Sequence, residues 1–167
     1  LSWLERKAPG VYERILQADR ESLTRWGHGN AIAQAYNHMI LPLASQRDRE
    51  TQIFWGIEDF RFRFNRDPEA MWLPETAVNY PTLDTLHRHG MKFLILAPSQ
   101  AERIRKLDDD AWIDVGTGTI DPRRPYRCYL SEENGQKSYE RFIDIFFYDG
   151  ALAAGISFGD LLVDGAR

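Results

Sequence analysis

The sequence has 167 residues, enough for one domain with a sizeable core, and its 43% apolar and 28% charged residues are typical of a globular protein. A net charge of −4 gives no basis for binding nucleic acid, and no apolar run reaches the roughly eighteen residues that a membrane span needs. The single cysteine, Cys128, excludes an internal disulfide framework. With no signal peptide in front of Leu1, we expect a cytoplasmic protein.

The first third of the chain contains two predicted helices. Apolar residues recur at helical spacing from Pro9 to about Trp26 and from Asp48 to about Phe64. Between them, the short and partly alternating segment Ala31–Tyr36 predicts a strand. This strand would deliver Asn37 and His38 to a loop.

The middle of the chain has the pattern of one strand–helix–strand unit. The run Met71–Leu73 predicts a strand that ends at Pro74, because proline has no N–H to donate to a neighbouring strand. Glu75 follows directly. A helix is predicted from Tyr80, closed by a left-handed glycine at Gly90, and the apolar run Lys92–Ala97 predicts a strand buried on both faces. Glu75 therefore lies at the carboxyl end of a predicted parallel strand, where α/β folds carry their chemistry.

The next segment is less regular. Pro98 and Ser99 predict the start of a short helix over Gln100–Lys106. The acidic triplet Asp108–Asp110 is interpreted as a solvated turn, since three adjacent carboxylates cannot converge on one ion unaided. The segment Gly116–Pro122 is predicted to be a loop.

The last part of the chain predicts two strands and a helix. Arg124–Leu130 and Arg141–Tyr148 are strand-like, and Asn134-Gly135 is typical of the turn between them. Asp149 follows the second strand, and the segment Gly150–Leu162 has a helical pattern.

Glu75 and Asp149 thus both follow predicted strands. If the two strands belong to one parallel sheet, the carboxylates open onto the same edge, which is the arrangement that retaining glycoside hydrolysis requires. Each residue also has a structural interpretation. Glu75 could cap the helix that follows it, and Asp149 could be the N-cap of the helix beginning at Gly150.

The segment from Trp72 to Glu75, with its downstream helix and strand, resembles the nucleophile motif of glycoside hydrolase family 57. That family comprises retaining enzymes that act on α-glucans, including amylases, glucanotransferases and branching enzymes. The resemblance extends to Asn37-His38 and the following Leu-Pro-Leu43, which are similar to a segment lining the family's sugar cleft. More narrowly, the chain resembles an uncharacterised branch whose barrel is fused to a domain of unknown function.

The resemblance implies an α/β fold, a partial and distorted parallel (β/α) barrel. It implies that Glu75 is the nucleophile, that Asp149 is the acid/base, and that Asn37, His38 and Trp72 bind a polysaccharide or oligosaccharide, with no cofactor and no metal. His38 could equally be a hydrogen-bonded structural histidine. The chain departs from the family after Asp149, where Gly150–Gly155 lacks the usual Glu, Gly, His and Trp-rich side chains.

The boundaries and the function remain expectations at this level. We expect residues 1–167 to be one fragment of a catalytic barrel, with core barrel units over about 1–110 and a strand pair with its helix over 111–167. The rest of the same longer polypeptide would be its partner. The alternatives are a non-catalytic glycan-binding or regulatory barrel and a metal-dependent polysaccharide deacetylase.

Other kinds of site have little support in the sequence. The deacetylase alternative is weak because His87 and His89 have a spacing that points their side chains apart on a helix. Cys128 has no histidine placed beside it for nucleophilic catalysis. A phosphate-binding loop is excluded at Gly116-Thr-Gly118, which has neither the lysine nor the following helix.

Overall fold

A computed structural model describes residues 1–132 and 136–163, so the predicted Asn134-Gly135 turn lies outside the described residues. No helix in this part of the chain is long and apolar enough to cross a membrane. The helices are α1 (Ser2–Lys7), α2 (Pro9–Trp26), α3 (Gln46–Phe64), α4 (Tyr80–Arg88) and α5 (Gly150–Ser157). The strands are β1 (Ala33–Gln34), β2 (Met71–Trp72), β3 (Phe93–Leu96), β4 (Arg103–Ile104), β5 (Ile113–Asp114), β6 (Tyr126–Ser131) and β7 (Lys137–Phe147).

Four strands run parallel in the order β1, β2, β3, β7. β1 pairs with β2, a single parallel bridge between Ala70 and Phe93 joins β2 to β3, and β3 pairs along its whole length with the end of β7. β6 extends the other side of β7 in antiparallel orientation. The predicted parallel α/β architecture is confirmed, and the carboxyl ends of all four parallel strands meet at one edge.

The connecting helices cover one face of these strands. A Cβ atom added to Gly56 of α3 would lie 2.1 Å from the Gln34 carbonyl oxygen and 3.4 Å from Met71, so the helix backbone rests on β1 and β2. Met71 is fully buried, whereas Trp72, which points to the other face of the strand, is only half-buried. Phe146 on that other face of β7 is 43% exposed. A sheet covered by helices on one face and open on the other is the arrangement of a β/α barrel seen in part.

Most of the predicted elements are confirmed. α2 has its predicted bounds, and α4 is closed by Gly90 with φ of 82°. α3 begins at Gln46, two residues before the predicted start, because Ser45 accepts a hydrogen bond from the Asp48 N–H as its N-cap. The predicted strand over Ala31–Tyr36 is shorter, with β1 holding two residues.

Two helix predictions near the C-terminal side are wrong in extent or type. The segment Gln100–Lys106 is not a helix: one 3₁₀ turn at Pro98–Gln100 is followed by β4, which pairs antiparallel with β5. In the β4–β5 pair, Ile104 is half-buried against the core. A helix over Gln100–Lys106 would have too few apolar residues to form a face that covers the core. α5 ends at Ser157 rather than Leu162, and Leu161 folds back to within 2.5 Å of where a Cβ on Gly155 would stand.

A buried ion pair fastens α2 to the start of the sheet. Asp19 is 2% exposed and accepts hydrogen bonds from Arg66 at 2.7 and 2.9 Å and from the Ala31 N–H at 2.8 Å. Burial alone would raise the pKa of Asp19, but the bonds from Arg66 and Ala31 outweigh it and lower the pKa below its usual 3.8. Arg66 also donates to the Ala31 carbonyl at 2.9 Å, so one guanidinium joins three segments.

We predict that Gly56→Ala destabilises the protein by about 1–3 kcal/mol, because the added methyl group meets a backbone oxygen that cannot move aside cheaply. Gly10→Ala in α2 is the matched control, since nothing lies within 4 Å of its added Cβ. It should be neutral or stabilise by up to ~1 kcal/mol. Equilibrium denaturation of both variants checks the prediction, and equal stability of the two would contradict it.

We predict that Asp19→Asn lowers the free energy of unfolding by about 3 kcal/mol at neutral pH, because Arg66 is left without its counter-charge. The carboxylate has a lowered pKa in the folded protein, so its stabilisation is complete above the unfolded value near 3.8 and is lost as the pH falls through the folded value. The difference between the native protein and the variant should therefore be constant above pH ~5 and shrink below pH ~4. Asp67→Asn, at a residue whose carboxylate is 77% exposed, should change stability little at any pH.

Candidate active site

Glu75 stands at the carboxyl end of β2 on a strained backbone. Its φ is 55° and that of Thr76 is 51°, in the left-handed region that non-glycine residues seldom occupy. The turn is held by hydrogen bonds from the Thr76 N–H to the Leu73 carbonyl and from the Ala77 N–H to the Pro74 carbonyl. Leu73, Pro74 and Thr76 are buried, while the Glu75 carboxylate is 76% exposed. The buried neighbours thus fix a backbone that presents one carboxylate to solvent.

The helix-capping interpretation of Glu75 is wrong. α4 is capped by Asn79, whose side-chain oxygen accepts a hydrogen bond from the Thr82 N–H at 2.9 Å. Glu75 lies four residues before this cap, so the carboxylate is free of a role in starting the helix.

Asn37 and His38 follow β1, the strand next to β2. The Asn37 N–H donates to the side-chain oxygen of Gln52 at 2.7 Å, and the Tyr36 N–H donates to the Gln52 carbonyl at 3.2 Å. His38 has φ of 50° and its Nε2 lies 3.3 Å from Oε1 of Glu75. The structure therefore brings His38 and Glu75 together, and Gln52 on α3 anchors the loop that carries His38.

Trp72 is the last residue of β2 and lies on the sheet face opposite α3. It pairs with Gln34 of β1 and is half-buried. Side chains alternate between the two faces along a strand, and Met71 faces α3, so the Trp72 ring lies on the open face of the sheet. Binding of a sugar by Trp72 or by Asn37 stays a prediction.

Asp149 stands just beyond the end of β7. The Tyr148 N–H donates to the Leu96 carbonyl, which continues the β3–β7 ladder up to this point. Oδ1 of Asp149 accepts a hydrogen bond from the Leu152 N–H at 3.0 Å, so Asp149 is the N-cap of α5. The capping interpretation of Asp149 is confirmed.

The two carboxylates are separated by one strand. Glu75 follows β2, Asp149 follows β7, and β3 lies between them. Two strand spacings put their backbones roughly 10 Å apart, whereas the carboxyl groups of retaining glycosidases stand about 5 Å apart. The side chains must reach toward each other across Ala97 and Pro98. Their pairing as nucleophile and acid/base stays a prediction.

The sequence pattern of glycosyl hydrolase family 57 matches residues 5–162, nearly the whole chain. The chain belongs to this family. The resemblance of the chain to this family is thereby confirmed, and the layer of parallel strands with outer helices is part of a distorted β/α barrel of the family 57 type. No curated protein matches the chain by sequence.

Solved structures show the same fold. The 4-α-glucanotransferase of Thermococcus litoralis superposes with a TM-score of 0.60 at 19% identity, over 94% of this chain and 21% of that one. The family 57-type branching enzyme of Pyrococcus horikoshii superposes with a TM-score of 0.56 at 18% identity, over 89% of this chain and 25% of its own. The chain therefore spans about a fifth to a quarter of the length of these two proteins.

A protein of a different type shares the fold. A putative polysaccharide deacetylase from Mycobacterium smegmatis superposes with a TM-score of 0.52 at 18% identity, over 84% of this chain and 37% of that one. Within the described ranges, no three histidine, cysteine or acidic side chains are grouped as metal ligands. Nδ1 of His87 forms a hydrogen bond with the Phe142 carbonyl at 3.2 Å. His89 is the C-cap of α4.

Cys128 does not compete as a nucleophile. It lies within β6, paired with Ile143, and burial raises the pKa of its thiol above the usual range. A thiol with a raised pKa is protonated at neutral pH, so it is a poor nucleophile.

A half-open cavity of about 520 Å³ lies at the opposite end of the sheet, where β2 and β3 begin. Its charged groups already pair with one another: Glu69 accepts from His28 at 2.8 Å and from Lys92 at 2.9 Å. Hydrogen bonds from Lys92 and His28 lower the pKa of Glu69. These charges are therefore engaged in structure, and the carboxyl edge of the sheet remains the better candidate for the active site of a family 57 protein.

Sequence reasoning missed Gln52. The available signal was two polar residues, Arg49 and Gln52, on the helix face that also carries Ile53, Ile57 and Phe60. A buried amide on an apolar stripe usually has a dedicated hydrogen-bond partner. Only the tertiary structure shows that this partner is the backbone before His38.

We predict that Gln52→Leu frees the loop at Asn37-His38, because it leaves the Asn37 N–H without its acceptor at a cost of about 1–3 kcal/mol. Gln52→Glu keeps an acceptor oxygen at the same place and should hold the loop better. Hydrogen–deuterium exchange of residues 36–38 should become faster in Gln52→Leu. Gln46→Leu on the same helix, where the exposed amide donates to Glu50 at 3.3 Å, is the control. Equal exchange in Gln52→Leu and the native protein would contradict the prediction.

Proposed function

We propose that this chain is part of the catalytic barrel of a retaining α-glycosidase or α-glucanotransferase, with Glu75 as nucleophile and Asp149 as acid/base. The observation that carries the proposal is topological. In a chain that belongs to family 57, both carboxylates stand within three residues of the end of a parallel strand, and the carboxyl ends of these strands share one edge. Glu75 is exposed there on a strained turn, as active-site residues often are.

The reaction would proceed in two displacements. In the first, a Glu75 carboxylate oxygen attacks the anomeric carbon, the glycosidic C–O bond breaks, and Asp149 gives its proton to the departing oxygen. In the second, the Asp149 carboxylate takes a proton from water or from an acceptor hydroxyl. The oxygen of that acceptor then bonds to the anomeric carbon and releases Glu75. Two inversions give net retention.

The helix cap bears on the role of Asp149. Oδ1 accepts from the Leu152 N–H, which leaves Oδ2 to exchange a proton with the substrate. The carboxyl group must be protonated for the first displacement and ionised for the second.

The family and the neighbours with the same fold support the proposed substrate class. One is a 4-α-glucanotransferase and two are branching enzymes, of which that of Thermococcus kodakaraensis was solved with glucose. For this chain we propose an α-glucan polysaccharide or oligosaccharide, bound with Asn37 and Trp72 beside Glu75. The remainder of the polypeptide would complete the cleft.

A second candidate is a barrel that binds glycan without catalysis. It is favoured by the engagement of Asp149 as a helix cap and by the segment Gly150–Gly155, which has no polar side chain. In that case Glu75 would contact the sugar but would form no covalent bond to it.

We predict that Glu75→Ala in the full-length polypeptide abolishes turnover of maltooligosaccharides and of α-glucosyl fluoride. Added azide should then restore reaction with the fluoride and yield β-glucosyl azide, because azide attacks from the side that Glu75 has vacated. Asp149→Ala should lose activity on maltooligosaccharides but still release fluoride, which needs no proton to leave. In this variant azide should attack the glycosyl-enzyme from the face opposite Glu75 and yield α-glucosyl azide.

NMR gives the configuration of the azide products. Turnover and sugar binding together distinguish the enzyme from the glycan-binding barrel. Glu75→Gln should bind maltooligosaccharides about as well as the native protein while turning none over, measured by calorimetry. A native protein that is inert on every α-glucan and on the fluoride, and that binds sugar as Glu75→Gln does, would favour the glycan-binding candidate. Asp67→Asn serves as a control carboxylate at the far end of the sheet and should keep full activity.

A further inference from the structure

The imidazole of His38 lies against the Glu75 carboxylate across two neighbouring strands. The Nε2–Oε1 distance is 3.3 Å, and both side chains are mostly exposed, His38 at 65%. We infer that His38 is a positioning residue, which holds one oxygen of Glu75 so that the other faces the anomeric carbon. The inference rests on the proposed function of Glu75 and gives His38 a role other than sugar binding.

The backbone at this place is set for the contact. Among the described residues, four that are not glycine have positive φ: His38, Asn65, Glu75 and Thr76. Asn65 is the C-cap of α3, where a left-handed residue is usual. The other three meet at the ends of β1 and β2. Left-handed conformations of non-glycine residues are strained and persist only where the surroundings impose them.

Both sides of the contact are anchored by buried groups. On the β1 side, the Gln52 side chain accepts from Asn37 directly before His38. On the β2 side, the buried residues Pro74 and Thr76 stand directly before and after Glu75 in the chain. His38 and Glu75 therefore both project from backbone that buried neighbours hold in place.

The hydrogen bond has a defined direction. A carboxylate can only accept a hydrogen bond. In this contact the Nε2–H of His38 is therefore the donor and Oε1 of Glu75 is the acceptor. Within the described residues, Glu75 has no other side-chain hydrogen bond or ion pair. A glutamate side chain has three rotatable torsions, and fixing them in advance lowers the entropy cost of reaching the transition state. His38 is the group placed to fix them.

A positioning role and a sugar-binding role make different predictions when Glu75 is absent. A residue that acts through Glu75 loses its effect once Glu75 is removed. A residue that contacts the sugar keeps its effect. The azide reaction of Glu75→Ala makes this measurable, since azide replaces the nucleophile, the C–F bond of α-glucosyl fluoride breaks, a C–N bond forms and fluoride leaves.

The experiment is a double-mutant cycle in the full-length polypeptide. The native protein, His38→Leu, Glu75→Ala and the double variant are compared on α-glucosyl fluoride, the last two with azide. We expect His38→Leu to lower kcat by about 10–100-fold with little change in KM when Glu75 is present. The same change should have less than about a twofold effect in the azide reaction. His38→Gln, which can place an amide N–H near the position of Nε2, should recover most of the lost kcat.

The same double-mutant experiment includes a control variant and has outcomes that would overturn the positioning role. His28→Leu removes a similar histidine–glutamate contact, to Glu69, at the other end of the sheet and should leave kcat unchanged. An equal loss from His38→Leu in both backgrounds, or no loss in either, would overturn the positioning role while leaving Glu75 as nucleophile. Turnover by Glu75→Ala without azide would instead overturn the proposed function.

A measurement without turnover completes the test. The imidazole ¹H–¹⁵N signals of His38 should shift between the native protein and Glu75→Gln, while those of His28 stay in place. Shifted His38 signals in a protein with no activity would contradict the proposed function but keep the contact. Unchanged His38 signals would show that the contact is absent and would overturn the inference.

Discussion

Parallel backbone pairing of β1, β2, β3 and β7 is the constraint on which the rest of this structure depends. Because all four strands point the same way, every loop that leaves them opens at one edge. The chain must return from that edge through helices, whose apolar faces then cover one side of the sheet. The close approach at Gly56, with no side chain between α3 and β1, is part of this packing.

The candidate site combines a rigid base with exposed functional groups. Leu73 and Pro74 are buried directly before Glu75, and Gln52 is buried beneath the loop of His38. Burial of these neighbours supplies the free energy that holds Glu75 and His38 in left-handed conformations. The carboxylate and imidazole themselves remain open to solvent and to a substrate.

Asp149 is under two demands that partly conflict. As the N-cap of α5 it satisfies a backbone N–H that would otherwise lack a partner. As an acid/base it would need to exchange a proton with substrate. A carboxylate has two oxygens, so the two tasks can coexist if the cap uses Oδ1 and the chemistry uses Oδ2. The exposed start of α5 is apolar, which departs from the pattern that the resemblance to family 57 implies after Asp149.

Local sequence determined much of the fold by itself. The helical periodicity of α2, α3 and α4, the strand-ending Pro74 and the left-handed Gly90 all follow from short-range chemistry, and so do the positions of Glu75 and Asp149 after strands. The helix predicted at Gln100–Lys106 failed because its backbone pairs with β5, ten residues further on, where local propensity carries no information.

Only the tertiary structure decided which side chains meet. It joined His38 to Glu75, which are 37 residues apart in sequence, made Gln52 the anchor of the His38 loop, and placed β3 between the strands that precede Glu75 and Asp149. The physical reason is that hydrogen bonds between distant residues depend on strand order and register. The sequence determined which chemical groups stand at the ends of the strands, and the packing of the sheet decided which of them are neighbours.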